Sequence, residues 1–363
     1  MKNHLQNIII VGSGKATLLH LNAYLEIRNK QLFNILIITG NFVEKEIKEL
    51  VMQYSQFISF ITIYDLKYNH VSCSLIDICT PTETHKNVIQ EMVSRGFKYF
   101  IVEKPLVTKL KDIEWLKSLN IYIEVMQNYL FSQATKKMIE LIRQNEIIPK
   151  LMFSFFCKNR TQDTLEMRGF TETIPPHIFT IEIPHQLYLA TELLGSAKLV
   201  STYTQNMVIG HNIYKDHGFG FINLNHNNSV NSYHFSCLFS DICIRKIFII
   251  DTNNRNIIID YPNNKELLNS KFEIQIDRNI IHQEKFENDN MIQLALEHYI
   301  SKLFAIDLYH HDSNLNYTSN LLVEEALSTC NSNSLLTNFD NGCRFCKELC
   351  KNYSFTLPCK HMN

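Results

Sequence analysis

The chain is 363 residues long, 45% hydrophobic and 20% charged, with a formal net charge of −1 at pH 7. This length exceeds one ordinary core and predicts two domains, and the composition excludes a largely disordered protein. A charge near zero provides no field to gather nucleic acid or an anionic membrane, so the expected partner is a small neutral or anionic metabolite.

The first residues, Met1 to Asn7, are mostly polar, and only four apolar residues follow before Gly12. Neither a signal-peptide apolar region nor a membrane span fits there, and a cytoplasmic protein is expected. From residue 8 to about 125, short β-rich runs (Ile8–Val11, Ile35–Thr39, Ser59–Tyr64, Ser74–Cys79, Tyr99–Val102, Ile121–Val125) alternate with helical stretches near 16–28, 43–54, 84–95 and 109–118. That alternation predicts a doubly wound parallel sheet of the α/β class. Beyond residue 150 strand-like runs follow one another from Leu151 to Ile276, separated by turn clusters such as Asn227-Asn228 and Asn253-Asn254. They predict an α+β domain with a mainly antiparallel sheet, and helices near 185–194, 290–306 and 317–329 interrupt or close it. The expected division is a nucleotide-binding domain over 1–127, a substrate and oligomerisation domain over 128–335 and a cysteine-rich tail over 336–363. Ten cysteines are scattered, several within apolar runs, which reads as reduced thiols rather than a disulfide framework.

The first apolar run enters Gly12-Ser13-Gly14-Lys15-Ala16-Thr17. Glycines there let the backbone approach a pyrophosphate, and the following helix N-terminus supplies unpaired N–H groups. Thr17 stands where the usual pattern has a third glycine. The second strand ends in Thr39-Gly40-Asn41, without the acidic residue that would bind an adenosine ribose. A 2′-phosphate would meet no repulsion there, and Thr39, Asn41 or Lys45 could contact it, which favours NADP over NAD. The fourth strand exits through Thr80-Pro81-Thr82 to His85, and the fifth ends in Glu103-Lys104-Pro105. Both lie at carboxyl ends of strands, where open α/β sheets bind ligands.

With Gly12, Gly14 and His20, Thr80-Pro81-Thr82 with His85, and Glu103-Lys104-Pro105 in this order, the sequence resembles the glucose-fructose oxidoreductase, inositol dehydrogenase and rhizopine-catabolism (Gfo/Idh/MocA) family of oxidoreductases. His185 and Gly195 keep the spacing of a second-domain family motif, and Asn128-Tyr129 is similar to the family's domain junction. The family's two aspartate positions are Ile181 and Tyr188 here, and Glu182 is the nearest carboxylate that could substitute.

The resemblance implies an NAD(P)-dependent dehydrogenase acting on a hydroxyl or carbonyl of a sugar, polyol or related small metabolite. His185 would exchange the hydroxyl proton and Lys104 would stabilise charge on the same oxygen. Asn128, Tyr129 and His177 join Lys104 and His185 as candidate substrate contacts. Ser13, Lys15, Ala16, Thr82, His85 and Glu103 join the cofactor contacts. A homodimer or homotetramer is implied by the family alone.

Reduction of an imine or cyclic ketone, a nucleotide-binding protein without turnover, and a redox or metal sensor are the alternatives. The tail residues Cys343, Cys346, Cys350 and Cys359 suggest a structural zinc, with a helix of reduced cysteines as the simpler reading. The loop Gly210 to Gly218 reads as a solvated connection between strands.

Overall fold

A computed structural model describes residues 5–40, 42–66, 71, 73–107, 109–167, 174–263, 268–305 and 318–330. The cysteine tail and Asn41 lie outside them. In chain order the elements are β1 (Asn7–Val11), α1 (Lys15–Arg28), β2 (Asn34–Ile38), α2 (Lys45–Gln53), β3 (Ile58–Ile61), β4 (Ser74–Ile78), α3 (Thr82–Ser94), β5 (Tyr99–Val102), α4 (Leu110–Lys117) and β6 (Tyr122–Val125). A 3-10 turn over Asn128–Phe131 leads to α5 (Gln133–Arg143), β7 (Pro149–Asn159), α6 (Thr161–Leu165), α7 (Ile178–Ile181) and α8 (Ile183–Leu194). Then follow β8 (Ala197–Ile209), β9 (Asn212–His226), β10 (Asn231–Cys237), β11 (Phe239–Asp251), β12 (Asn256–Asp260), β13 (Ser270–Ile276), β14 (Asn279–Phe286), α9 (Met291–Ala305) and α10 (Thr318–Cys330).

The first six strands form one parallel sheet in the order β3-β2-β1-β4-β5-β6. Strands β1, β4 and β5 are buried at every position, as parallel strands covered on both faces must be. The order reverses between β1 and β4, and that switch point opens at the carboxyl ends that carry Gly12, Thr80 and Lys104. The second sheet has eight strands in the order β14-β13-β12-β11-β7-β10-β9-β8. It is antiparallel except for β10 beside β7, as the β-rich second half of the sequence predicts.

Four features depart from the sequence expectation. Helix α5 was not anticipated, although Ala134, Met138 and Leu141 recur at helical spacing and are buried. Strand β14 is mostly exposed and lacks apolar alternation, so only its pairing with β13 defines it. The segment Gly210 to Gly218 is not a loop: Gly210, at φ +60°, helps turn a long hairpin, and β9 already begins at Asn212. Helix α9, expected in the second domain, returns to the first sheet, where Ala295, Leu296, Tyr299 and Ile300 complete a core with β1, β2 and α1. The Tyr299 hydroxyl donates to Val125 O at 2.9 Å and accepts from Gln127 N–H at 3.3 Å, fixing the junction before Asn128.

Helix α8 is buried at ten of its twelve positions and lies against the second sheet. Gln186 seats it: its amide oxygen accepts from Phe235 N–H and its amide nitrogen donates to Phe235 O, both at 3.1 Å, in the manner of a neighbouring strand. Ser154 donates to the same oxygen at 2.6 Å and continues through His234 and Ser232 to His226, which meets Gly195 O at the helix end. Because every link is buried, losing the amide strands several polar groups at once. Gln186→Leu is expected to lower stability by about 2 kcal/mol, read by urea denaturation.

Candidate active site

Gly12 sits at φ +133°, and a Cβ there would lie 2.9 Å from Cys79 O and 3.0 Å from Thr17 Oγ1, so only glycine fits this turn. At Gly14 the opposite holds: nothing stands within 4 Å of a Cβ position, and the first turn of α1 has no side-chain cap. A tight turn under an open helix N-terminus is a fitting cradle for a dinucleotide pyrophosphate. Thr17, in place of a third glycine, is accommodated with its hydroxyl buried and without a hydrogen-bond partner. Ser13 donates to Phe42 O and its carbonyl accepts from Glu44 N–H, tying the turn to the segment after β2. Ala16 lies in the first turn of α1. The Lys15 ammonium reaches Asp163 at 3.2 Å, which joins the turn to α6. Thr39 is half-buried at the end of β2, and Lys45 is exposed beside Glu49 at 3.6 Å.

His85, expected among the cofactor contacts, is fully buried. Its ring nitrogens meet Leu106 O at 3.0 Å and Thr80 O at 2.8 Å, and burial lowers its pKa. Its ring lies between the Thr80-Pro81-Thr82 turn and the Lys104 loop, with one nitrogen toward each. Thr84 closes the same turn on Thr80 Oγ1 and Pro81 O, both at 2.7 Å.

The Lys104 loop is held by a buried chain of charge. His20 on α1 donates through Nδ1 to Asp77 at 2.8 Å and through Nε2 to Glu103 at 3.1 Å. Burial alone would lower its pKa, but Asp77 and then Cys79 overcome that and raise it well above the ordinary value, so the ring is charged. Tyr24 donates to the same Asp77 oxygen at 2.9 Å, and burial pushes the Cys79 thiol up to about 12, keeping it protonated. Glu103 is raised by burial but lowered overall by His20 and Lys104, and its other oxygen accepts from Lys104 N–H at 3.2 Å.

Lys104 itself points to α7, where its ammonium donates to Ile181 O. The side chain at this position has no carboxylate; the free carbonyl at the C-terminus of a short helix takes the ammonium instead. Burial lowers the Lys104 pKa, Glu103 and Glu182 oppose the shift, and Arg160 and Arg245 add to it.

Glu182 and His185 lie at the N-terminal end of α8, the helix expected near 185–194. Glu182 caps α8, is 4% exposed and pairs with Lys158. Although burial raises its pKa, Lys158, Arg245 and Arg160 bring it well below the usual carboxylate value. One helical turn beyond Ile181 stands His185, whose Nδ1 lies 3.0 Å from the Tyr188 hydroxyl. That hydroxyl donates to Asn128 Oδ1 at 3.3 Å and accepts from Tyr129 N–H at 3.1 Å, so toward His185 it has a lone pair to offer. The network therefore assigns the His185 proton to Nδ1 and leaves Nε2 as the acceptor. Burial, then Lys104, keep the His185 pKa well below its ordinary value, and the ring is neutral.

Tyr129, expected to touch substrate, is only 3% exposed; its ring packs against those of His185 and Phe156, both at 4.9 Å, and forms the wall that holds the imidazole. His177 caps α7 by accepting from Phe179 N–H at 3.1 Å and gathers with Asp216 and Cys330, their donor atoms within 4.8 Å of one another. Tyr188, His20, Lys158, Arg160 and Arg245 were not proposed as site residues from sequence. Of these, His20 carried a signal through its place in the first-turn motif, and Tyr188 through its place at a family aspartate position.

Removing His20 leaves the buried Asp77 and the half-buried Glu103 without their shared cation. His20→Asn is expected to cost about 3 kcal/mol at pH 6 in urea denaturation. Because the folded pKa of His20 is raised, its contribution is full below the unfolded value and is lost as pH rises through the folded one, so the gap to the parent protein narrows above neutrality.

Residues 6–121 match the model of an oxidoreductase family described by its NAD-binding Rossmann fold, Gfo/Idh/MocA. No curated protein matches the chain in sequence. Among solved structures it is similar to levoglucosan dehydrogenase in complex with NADH and levoglucosan, with TM-score 0.72, 12% identity and coverage of 91% of this chain and 98% of that one. KijD10, a 3-ketoreductase from Actinomadura kijaniata in complex with NADP and TDP-benzene, aligns with TM-score 0.70, 12% identity and coverage of 90% and 98%. UDP-N-acetylglucosamine 3-dehydrogenase GnnA from Acidithiobacillus ferrooxidans aligns with TM-score 0.68, 12% identity and the same coverage. Residues 6–121 thus carry the sequence pattern of the Gfo/Idh/MocA NAD-binding Rossmann fold, and the chain as a whole shares the two-sheet fold of these solved structures.

Proposed function

We propose that the protein is an NAD(P)-dependent oxidoreductase that transfers a hydride between nicotinamide and a hydroxyl or carbonyl carbon of a sugar, polyol or related small metabolite. The observation that carries this reading is the pairing of a cationic Lys104, anchored at the end of β5, with a neutral His185 whose Nε2 is the free acceptor. When bound at Gly12 and Gly14, the nicotinamide cofactor supplies the hydride acceptor or donor. In oxidation His185 Nε2 takes the hydroxyl proton, and the Lys104 ammonium stabilises the negative charge that develops on oxygen. Asn128, through Tyr188, keeps the imidazole in the tautomer this needs. NADP is the favoured cofactor, because no carboxylate stands at Thr39 or Gly40 to repel a 2′-phosphate.

Two features extend the reading. Both family aspartate positions are replaced, by Ile181 and Tyr188, which favours an imine or cyclic ketone as the second substrate class to try. The face of the second sheet that carries Phe155, Phe221, Tyr233 and Phe248 is aromatic, which supports a homodimer or homotetramer through that face. Light scattering is expected to give two or four times 42.5 kDa. No described helix is long and apolar enough to cross a membrane, and a cytoplasmic setting is part of this reading.

Fluorescence titration with NADH and NADPH is expected to show micromolar binding, tighter for NADPH, and a panel of sugars, polyols, imines and cyclic ketones should contain a compound that consumes it. His185→Asn and Lys104→Ala should each lower kcat by roughly 10²-fold or more with cofactor affinity little changed. Because the His185 pKa is lowered, the acid limb of kcat/KM for oxidation should fall below pH 6.5, and the lowered Lys104 pKa places the alkaline limb below 10.5. If neither cofactor binds, the reading fails.

A further inference from the structure

Beside His185 the second sheet presents three cations that the hydride-transfer chemistry does not use. On β7 the side chains of Ser154, Phe156 and Lys158 alternate onto one face: Ser154 meets Gln186 of α8, the Phe156 ring lies 6.3 Å from that of His185, and Lys158 meets Glu182. Arg245 of β11 stands directly opposite Phe156 in the register, and directly opposed residues share a face, so its guanidinium extends beside the same imidazole. Arg160 continues the row, its N–H still bonded to Leu238 O at 2.7 Å.

Among the described residues, the anions do not fully satisfy these cations. Glu182 is paired with Lys158. Asp163 lies 3.9 Å from Arg160 Nε, beyond a hydrogen bond, and also serves Lys15. Arg160 Nε is buried without a hydrogen-bond partner, and Arg245 reaches Pro262 O only at 3.4 Å. Lys104 adds a fourth positive charge, and its neighbour Glu103 is engaged by His20. Burial pushes the Lys158 pKa down to about 8; Glu182 opposes the shift, and Arg160 and Arg245 add to it. Lys158 and Arg160 retain 23% and 28% side-chain exposure, so a ligand can reach them.

We propose that Lys158, Arg160 and Arg245 form an oxyanion subsite, and that the substrate carries a carboxylate or phosphate group that docks there while its reacting carbon lies between Lys104 and His185. The identity of that carbon rests on the oxidoreductase reading; the anion site rests on the sheet register and the unsatisfied guanidinium. Guanidinium groups on one face suit a planar or tetrahedral oxyanion, since each offers several donors in a fixed fork.

Inorganic phosphate and malonate, titrated calorimetrically into NADPH-saturated protein at constant ionic strength, test this with the pyrophosphate site filled. One anion is expected to bind per chain, and Arg245→Gln or Arg160→Gln should each weaken it at least about tenfold while leaving NADPH affinity unchanged. Galactose 1-phosphate should displace the anion at concentrations where galactose does not. Should Arg245→Gln fail to fold, Arg160→Gln at the exposed end of the row gives the same readout. Absence of anion binding, or binding that neither substitution weakens, overturns the proposal. Failure of the oxidoreductase reading would show separately, as no NADPH binding or consumption while an anion still binds in an Arg245-dependent way.

Discussion

The site depends on one buried charge, the imidazolium of His20. It joins Asp77 of β4 to Glu103 at the end of β5, and through Glu103 it holds the backbone of Lys104. Asp77 is fully buried and Glu103 half-buried, so both lose hydration; a cation between them offsets that cost only when each hydrogen bond is made. The arrangement therefore admits one geometry of the α1, β4 and β5 termini. A parallel sheet brings strand ends together but does not fix the loops that leave them, and here the charged ring fixes the loop that matters. His85 adds a second restraint, its buried ring set between Thr80 O and Leu106 O on either side of the same opening.

Across from Lys104, α8 is positioned by interactions of a different kind. Gln186 ties it to β10 and the Ser154 to His226 chain ties it to the sheet, so His185, the next residue, inherits a fixed helix. Tyr188 then sets the ring, and Tyr129 walls it in. A tyrosine hydroxyl here accepts from the imidazole N–H without adding a negative charge. His185 is consequently more readily kept neutral than beside an ionised carboxylate, which would raise its pKa.

The first domain was readable in the sequence because both of its signals are local. Buried parallel strands are short apolar runs and the crossover helices are amphipathic, so the expected elements agree with the observed ones within a few residues. The turn at Gly12 and the lysine at 104 were legible for the same reason, each being a short motif at a strand end. The second domain was less so. Strand β14 has an exposed, polar edge composition, and α9 belongs in space to a domain it does not follow in sequence. Tyr188 could not be read as the partner of His185, because that role depends on helix phase and on Asn128, sixty residues away. Lys158, Arg160 and Arg245 share a face only through the pairing of β7 with β11, a register no sequence window contains.

The electrostatics of the two halves of the site are coupled through these same cations. Arg245 acts on Lys104, Glu182 and His185 alike, lowering all three pKa values. Glu182 is the buried carboxylate that pairs with this row, and with it in place the row keeps a net positive field that a bound anion would partly offset. Docking such an anion beside His185 would raise the pKa of the imidazole as it cancels the positive potential, making the ring a better proton acceptor when substrate is in place. On the proposed reading, substrate charge and general-base strength are linked through one set of side chains.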